Sequence, residues 1–170
     1  RAILFKYSGP KMSLYLRRHA LIGLKHLKFQ PAAATSVVRH AAPFLNDPDE
    51  GIVRHALDIL SRLPPSAAMT AFWRKHIAGR NAIIAGFAAR QLAASDTPTN
   101  NRELLELLRH ENPDLRDIAA GALATHKSST RLLIETFVRE TDSELSWRLA
   151  KILKSHGVVL DRKNLKRFKT

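Results

Sequence analysis

Apolar residues recur along the chain at the spacing of an α-helix rather than that of a β-strand. Leu14, Leu21 and Leu24 share one broad face at 3.6-residue spacing, and Ile52 and Leu60 belong to a second series of this kind. No alternating run of β-branched residues is bounded by turn signals at both ends. The pattern therefore predicts an all-α protein.

Proline, glycine and short polar turns separate the helical segments, because proline cannot continue a helix from within. Side chains able to cap first turns stand at Ser66, Asn81, Asp114, Ser128 and Ser143. The predicted helices form a leading segment and four pairs: 12–29; 35–45 with 50–63; 66–77 with 81–94; 101–110 with 114–126; and 129–140 with 143–156.

The chain repeats itself. Residues 18–27 read RHALIGLKHL and residues 54–63 read RHALDILSRL, with six of ten positions identical at an offset of 36. Weaker copies follow at 84–92, 115–124 and 145–154. A single helix pair cannot cover its own apolar side, whereas stacked pairs can, so the period predicts an array of helical hairpins.

These repeats resemble the HEAT-repeat family, particularly its short bacterial form. The best matches are residues 47–56, which read DPDEGIVRHA, and residues 112–116, which read NPDLR and are followed by small and apolar positions. The likeness covers about 12–157, although 79–81 reads GRN where other turns carry acids. It implies a right-handed α-α superhelix (solenoid) of four to five HEAT-like hairpins, with second helices on its inner face.

The predicted organisation is one HEAT-like repeat domain over residues 1–157, followed by a basic tail, or the start of another helix, over 158–170. Because the chain begins with arginine, we expect a piece of a longer protein. No apolar run approaches the roughly 20 residues that a membrane span needs. The expected location is cytoplasmic, either free or as the cytoplasmic domain of a membrane-anchored protein.

Three glycines fall within predicted helices, namely Gly23, Gly86 and Gly121. Glycine inside a helix costs up to about 1 kcal/mol against alanine. Tight packing between neighbouring repeats would offset this cost, and that is the expected explanation. The alternative is a ligand surface that needs bare backbone.

Catalytic motifs are scarce. The chain has no cysteine, which excludes disulfides, cysteine-based zinc sites and a cysteine nucleophile. It also has no glycine-rich phosphate loop, no HExxH and no nucleophile elbow. The eight histidines show no metal-ligand spacing, so we expect them at solvent edges or repeat interfaces. No enzyme activity, cofactor or metal is predicted.

One enzymatic alternative comes from the resemblance itself. Some HEAT-like proteins are alkylpurine DNA glycosylases, which use aromatic residues and a carboxylate in a basic concave cleft. Asp58, Trp73 and Trp147 are faintly similar to that set. No tryptophan pair with a nearby carboxylate is evident, and Trp147, at a predicted helix start, is expected in the core.

Charge is concentrated at the two ends. The chain has 28 Lys+Arg, 15 Asp+Glu and a net charge of +13. Residues 1–40 carry +8 and residues 145–170 carry +7, whereas the segment between them carries −2. A continuous nucleic-acid channel would need basic residues in every repeat. Basic ends suit acidic protein surfaces, nucleic-acid phosphates or an anionic membrane surface.

The sequence therefore favours a non-enzymatic interaction module that binds a protein with an acidic surface, as a scaffold or regulatory domain. A basic nucleic-acid-binding protein related to the glycosylases is the alternative. Arg18, Arg54 and Arg148 occupy matching places early in second helices. Each is expected to bond the acidic turn of its own or a neighbouring repeat, for example Arg54 with Asp47 or Asp49, in the Asp–Arg ladder that the resemblance implies. The candidate binding residues are Arg17, Arg18, Lys25, Arg54, Arg148, Lys151, Lys154, Lys163, Lys166 and Arg167.

Overall fold

The computed structural model describes residues 6–9, 11–77, 79 and 81–161, and it confirms the all-α class. These residues contain no β-strand, and short 3-10 helices occur at Pro31–Ala33, Ala42–Asn46 and Lys127–Ser129. The α-helices described are α1 (Leu14–Lys25), α2 (Ala34–Ala41), α3 (Glu50–Ser61), α4 (Ala67–Ile77), α5 (Ala82–Ala93), α6 (Pro98–Leu107), α7 (Pro113–Thr125), α8 (Thr130–Phe137) and α9 (Ser143–Ser155).

Two of the predicted helix caps are confirmed. Ser66 Oγ accepts a hydrogen bond from the backbone N–H of Met69 at 3.2 Å, at the start of α4. Asn81 Oδ1 accepts from the backbone N–H of Ile84 at 3.3 Å and caps α5. Each side chain satisfies a first-turn N–H that has no partner within the helix.

The caps predicted at Asp114 and Ser143 are wrong by one or two residues. Asn112 caps α7, because Pro113 occupies the first helical position, where a missing N–H costs nothing. Asp142 caps α9, with its Oδ1 2.7 Å from the Leu145 nitrogen. Both predictions chose a capping residue that lies just inside the helix.

The chain forms two compact units, residues 1–71 and 72–170, and the division falls inside α4. The single repeat domain predicted over 1–157 stays a prediction. In the first unit α3 is central, because α1, α2 and the 3-10 turn before α3 all pack against it. Its core is apolar and includes Leu21, Leu24, Val37, Ile52, Ala56, Leu57, Ile59 and Leu60.

In the second unit, helices from successive hairpins pack side by side. α7 contacts α5, α6 and α9, while α6 packs on α5 and α8 packs on α9. Thus α5, α7 and α9 lie in a row, with α7 in contact with both of the others. The buried side chains include Ala88, Leu92, Leu104, Leu108, Leu115, Ala119, Leu123, Leu133, Leu149 and Leu153.

Helix α9 ends at a glycine in the left-handed conformation. Gly157 has φ +80, and the backbone N–H of Val158 donates to Leu153 O at 3.0 Å, which is the closing bond of a Schellman turn. Residues 158–161 have no regular structure, and the rest of the predicted tail lies outside the described residues. No helix in the described part of the chain is long and apolar enough to cross a bilayer.

Candidate functional site

Among the described residues of the second unit, Trp147 on α9 is the most exposed large aromatic residue. Its side chain is 63% exposed, and Lys151 Nζ lies 5.4 Å from the centre of its ring. The core position expected for Trp147 is therefore wrong, whereas Trp73 on α4 is 3% exposed and belongs to the core. Exposed tryptophans of this kind are frequent anchors in protein interfaces.

An apolar groove of about 420 Å³ runs along the surface where α7 and α9 meet, beside Trp147. We call it the α7–α9 groove. Its α7 wall is formed by Asp117, Ala120, Gly121 and Ala124, four residues that share one helix face at i, i+3, i+4 and i+7. Its α9 wall is formed by Trp147, Arg148, Lys151, Ile152 and Ser155.

A second apolar depression, of about 640 Å³, is also lined by Trp147. Its lining comes from the end of α9 and the segment that follows, and Val159 in that segment is 65% exposed. Trp147 therefore contributes to two apolar surfaces. The residues of this second depression are Trp147, Ala150, Lys151, Lys154, Gly157, Val158, Val159 and Leu160.

Gly121 faces the open groove. A Cβ atom built on Gly121 would meet no described atom within 4 Å, so the tight packing predicted for this glycine is wrong. At Gly86 on α5 the nearest atoms belong to the Arg90 guanidinium, at 3.8 Å, so ordinary space is available there too. Packing against a neighbouring helix therefore does not offset the helix-weakening effect of glycine at position 121.

Arg148 and Lys151 line the α9 wall of the groove, and Lys154 lines the second depression. Lys151 and Lys154 form no ion pair with any carboxylate of the described residues. Arg148 is paired with Glu144, whose Oε1 lies 2.5 Å from Nη2, so its charge is largely neutralised. Asp117 is the carboxylate that lines the α7 wall.

The structure places the other described binding candidates in the first unit, where most have partners. Arg17 forms a nearly buried ion pair with Asp47. Arg18 donates from Nη2 to Asp49 Oδ2 at 2.6 Å. These contacts tie α1 to the turn before α3, so both arginines are engaged in ion pairs within the first unit. Lys163, Lys166 and Arg167 lie outside the described residues.

The predicted ladder holds for Arg18, which bonds Asp49 in the next acidic turn along the chain, but the contact predicted for Arg54 is wrong. Its guanidinium donates to Glu50 Oε1 at 2.6 Å within α3, and it does not pair with Asp47 or Asp49. The turn acids are instead held by the arginines of α1, one repeat earlier. Arg54 therefore forms an exposed i,i+4 pair within its own helix.

Gly51 allows the contact between Arg18 and Asp49. A Cβ on Gly51 would lie 3.0 Å from Asp49 Oδ1 and 3.4 Å from Arg18 Nε, closer than most real Cβ contacts. The hydrogen bond from Arg18 lowers the pKa of Asp49, and the backbone N–H of Ile52 adds to this effect. Beside them, burial and the charge of Lys25 lower the pKa of His55.

Two histidines each link the end of one helix to the end of an earlier helix. This agrees with the repeat-interface position expected for histidines, although the sequence did not single out these two. His126 ends α7, and its Nε2 lies 2.9 Å from Ala93 O at the end of α5. His156 ends α9, and its Nε2 lies 2.8 Å from Leu123 O near the end of α7. The sequence did contain a signal for this shared role, because the two histidines are 30 residues apart and each stands at the end of a helix.

The His126 contact belongs to a buried polar cluster. His126 Nδ1 lies 2.7 Å from Asn101 Oδ1, and Asn101 Nδ2 donates to Asp96 Oδ1 at 2.8 Å. Ser128 donates from its hydroxyl to Asp96 rather than capping α8, so the cap predicted there is wrong. Hydrogen bonds from Ser128 and Asn101 lower the pKa of Asp96. No group of three or more metal-ligating side chains occurs in the described residues.

Comparison with known proteins supports the fold and no more. No family model and no curated protein matches the chain. Among solved structures, the chain is similar to an engineered protein determined by the Northeast Structural Genomics Consortium. The TM-score is 0.50 at 18% identity, and the match covers 91% of this chain and 78% of the engineered one. At that identity the likeness shows a shared helical fold.

Proposed function

We propose that the chain is a right-handed solenoid of HEAT-like hairpins that binds a protein partner and has no catalytic activity of its own. The repeat at an offset of 36 and the row formed by α5, α7 and α9 support the architecture. Stacked hairpins of this kind present long, rigid surfaces for binding.

The observation that carries the proposed function is the exposure of Trp147. Soluble proteins seldom expose a tryptophan that lines two apolar depressions unless the surface is used. Lys151 and Lys154 next to it favour a partner with acidic groups. Arg148, also predicted as a binding residue, lines the same groove.

The test compares proteins captured from cell extract by the immobilised 170-residue chain and by two variants. Trp147→Ala should abolish capture of at least one specific protein. Tyr15→Ala, which removes another exposed aromatic side chain from α1 in the other unit, should retain it. Both side chains are exposed, so each variant should keep its stability to within about 0.5 kcal/mol.

Two results would count against the proposal. One is a set of captured proteins that is identical for all three baits. The other is capture that disappears when nuclease is added, because nucleic acid would then be the true ligand and its binding would weaken steeply with salt.

A further inference from the structure

The α7–α9 groove has the dimensions of a helix-binding site. Its α7 wall runs from Asp117 to Ala124, which is about 10 Å, or two helical turns, at 1.5 Å per residue. Its volume of about 420 Å³ falls within the range of roughly 300–1,000 Å³ in which proteins hold ligand groups. A helix laid in such a groove presents apolar anchors at i, i+3 or i+4, and i+7.

The floor of the groove accepts apolar side chains at close range. Ala120, Gly121 and Ala124 offer methyl groups and bare backbone, and the indole of Trp147 forms the facing wall. Because a Cβ on Gly121 would project into open space, glycine at this position deepens the groove at its midpoint. An incoming aliphatic or aromatic side chain can approach the α7 backbone there.

Two lysines beside the groove favour acidic residues on the polar face of a bound helix. Lys151 and Lys154 follow Trp147 on α9 at i+4 and i+7, so the three side chains lie on one helix face. Neither lysine has a carboxylate partner within the described residues, whereas Arg148 is already paired with Glu144. A ligand that supplies carboxylates next to its apolar anchor would complete this face.

We propose that the α7–α9 groove binds an acidic amphipathic helix of the partner protein, with an apolar side chain seated over Gly121 and carboxylates facing Lys151 and Lys154. This inference rests on the proposed protein-binding function and specifies the ligand of the same surface. Single-stranded nucleic acid fits less well, because the groove walls are mainly apolar and phosphate binding needs cations along the backbone path.

The probes are helical peptides of about 18 residues, long enough to extend beyond the two turns of the groove at both ends. The first carries leucines at i, i+4 and i+7 with glutamates flanking them. The second has lysine in place of every glutamate. Binding is read from the emission of Trp147, and the Trp147→Phe variant reports the background from buried Trp73.

The acidic peptide should shift the emission and bind at micromolar Kd, and its affinity should fall as salt is raised. The lysine peptide should not bind. Gly121→Ala should weaken binding of the acidic peptide by roughly tenfold, because the new methyl group occupies the space that the apolar side chain of the peptide needs. Gly86→Ala adds the same methyl group to α5, where space is available, and should leave the affinity unchanged within about twofold.

Three outcomes would overturn the inference: equal binding of both peptides, an affinity that Gly121→Ala does not change, or a deoxythymidine oligonucleotide that shifts the Trp147 emission when the acidic peptide does not. If the acidic peptide fails to bind while protein capture still depends on Trp147, the helix inference fails and the protein-binding function stands. If capture does not depend on Trp147, the proposed function itself fails.

Discussion

The contact between His126, Asn101 and Ala93 should be the most costly polar contact to remove in the second unit. His126 is 6% exposed and Asn101 is 1% exposed, so water cannot easily replace either partner. His126→Ala loses two hydrogen bonds, at about 1 kcal/mol each, and leaves the amide oxygen of Asn101 buried without a donor, at about 1 kcal/mol or more. We expect a loss of about 3 kcal/mol in the free energy of unfolding.

Urea unfolding monitored through Trp73 measures this loss in the unit concerned, because that buried side chain lies in residues 72–170. The midpoint should fall while the slope m stays unchanged. His156→Ala removes the equivalent contact one hairpin later, but its ring is only half-buried, so about half the loss is expected. Arg131→Ala removes an exposed i,i+4 pair and serves as the control, at about 0.5 kcal/mol or less.

A double-mutant cycle between His126 and Asn101 provides the decisive comparison. If the two residues act through their shared hydrogen bond, the losses should be non-additive by about 1 kcal/mol. Strict additivity, or a His126→Ala loss no greater than that of Arg131→Ala, would refute the argument that this buried contact stabilises the hairpin interface.

Three other changes test the structure. Asp47→Ala should cost about 3 kcal/mol, because it leaves Arg17 nearly buried without its partner; a loss below about 1 kcal/mol would show that the pair is effectively solvated. Gly121→Ala should raise the unfolding free energy by up to about 1 kcal/mol, since the new methyl group meets no described atom; a loss would mean that the position is packed. Because burial lowers the pKa of His55 below 6.5, its stabilising contribution is complete above pH 6.5 and is lost as pH falls through the lower folded value. His55→Gln should remove that slope in a pH series of unfolding curves, and an unchanged slope would argue against it.

The helices were predictable because their cores are periodic. The sequence predicts α3 over 50–63, and in the structure this helix spans Glu50–Ser61. It predicts α9 over 143–156, and in the structure this helix spans Ser143–Ser155. The exact caps were less predictable, since several capping residues stand close together before each helix. At α7, the proline after Asn112 decided between the candidates.

The candidate site was only partly predictable, because sequence shows charge but not pairing. Arg54, Arg18 and Arg148 are equivalent in the repeat, yet their partners differ. Arg18 pairs with the turn carboxylate of Asp49, whereas Arg54 and Arg148 each pair with a glutamate four residues earlier in their own helix. The exposure of Trp147 did have a signal. Leu145 and Leu149 define the buried face of α9, and a residue two positions from Leu145 points away from that face in an α-helix.

The two histidine contacts have a consequence for synthesis on the ribosome, because both run backwards along the chain. Each imidazole reaches a carbonyl 33 residues nearer the N-terminus, so the earlier hairpin is complete before its contact can form. At about 5–20 residues per second, the delay is about 2–7 s. The end of each newly made hairpin therefore stays without its histidine hydrogen bond until the next hairpin has emerged. These contacts form, and stabilise the protein, in the order of translation.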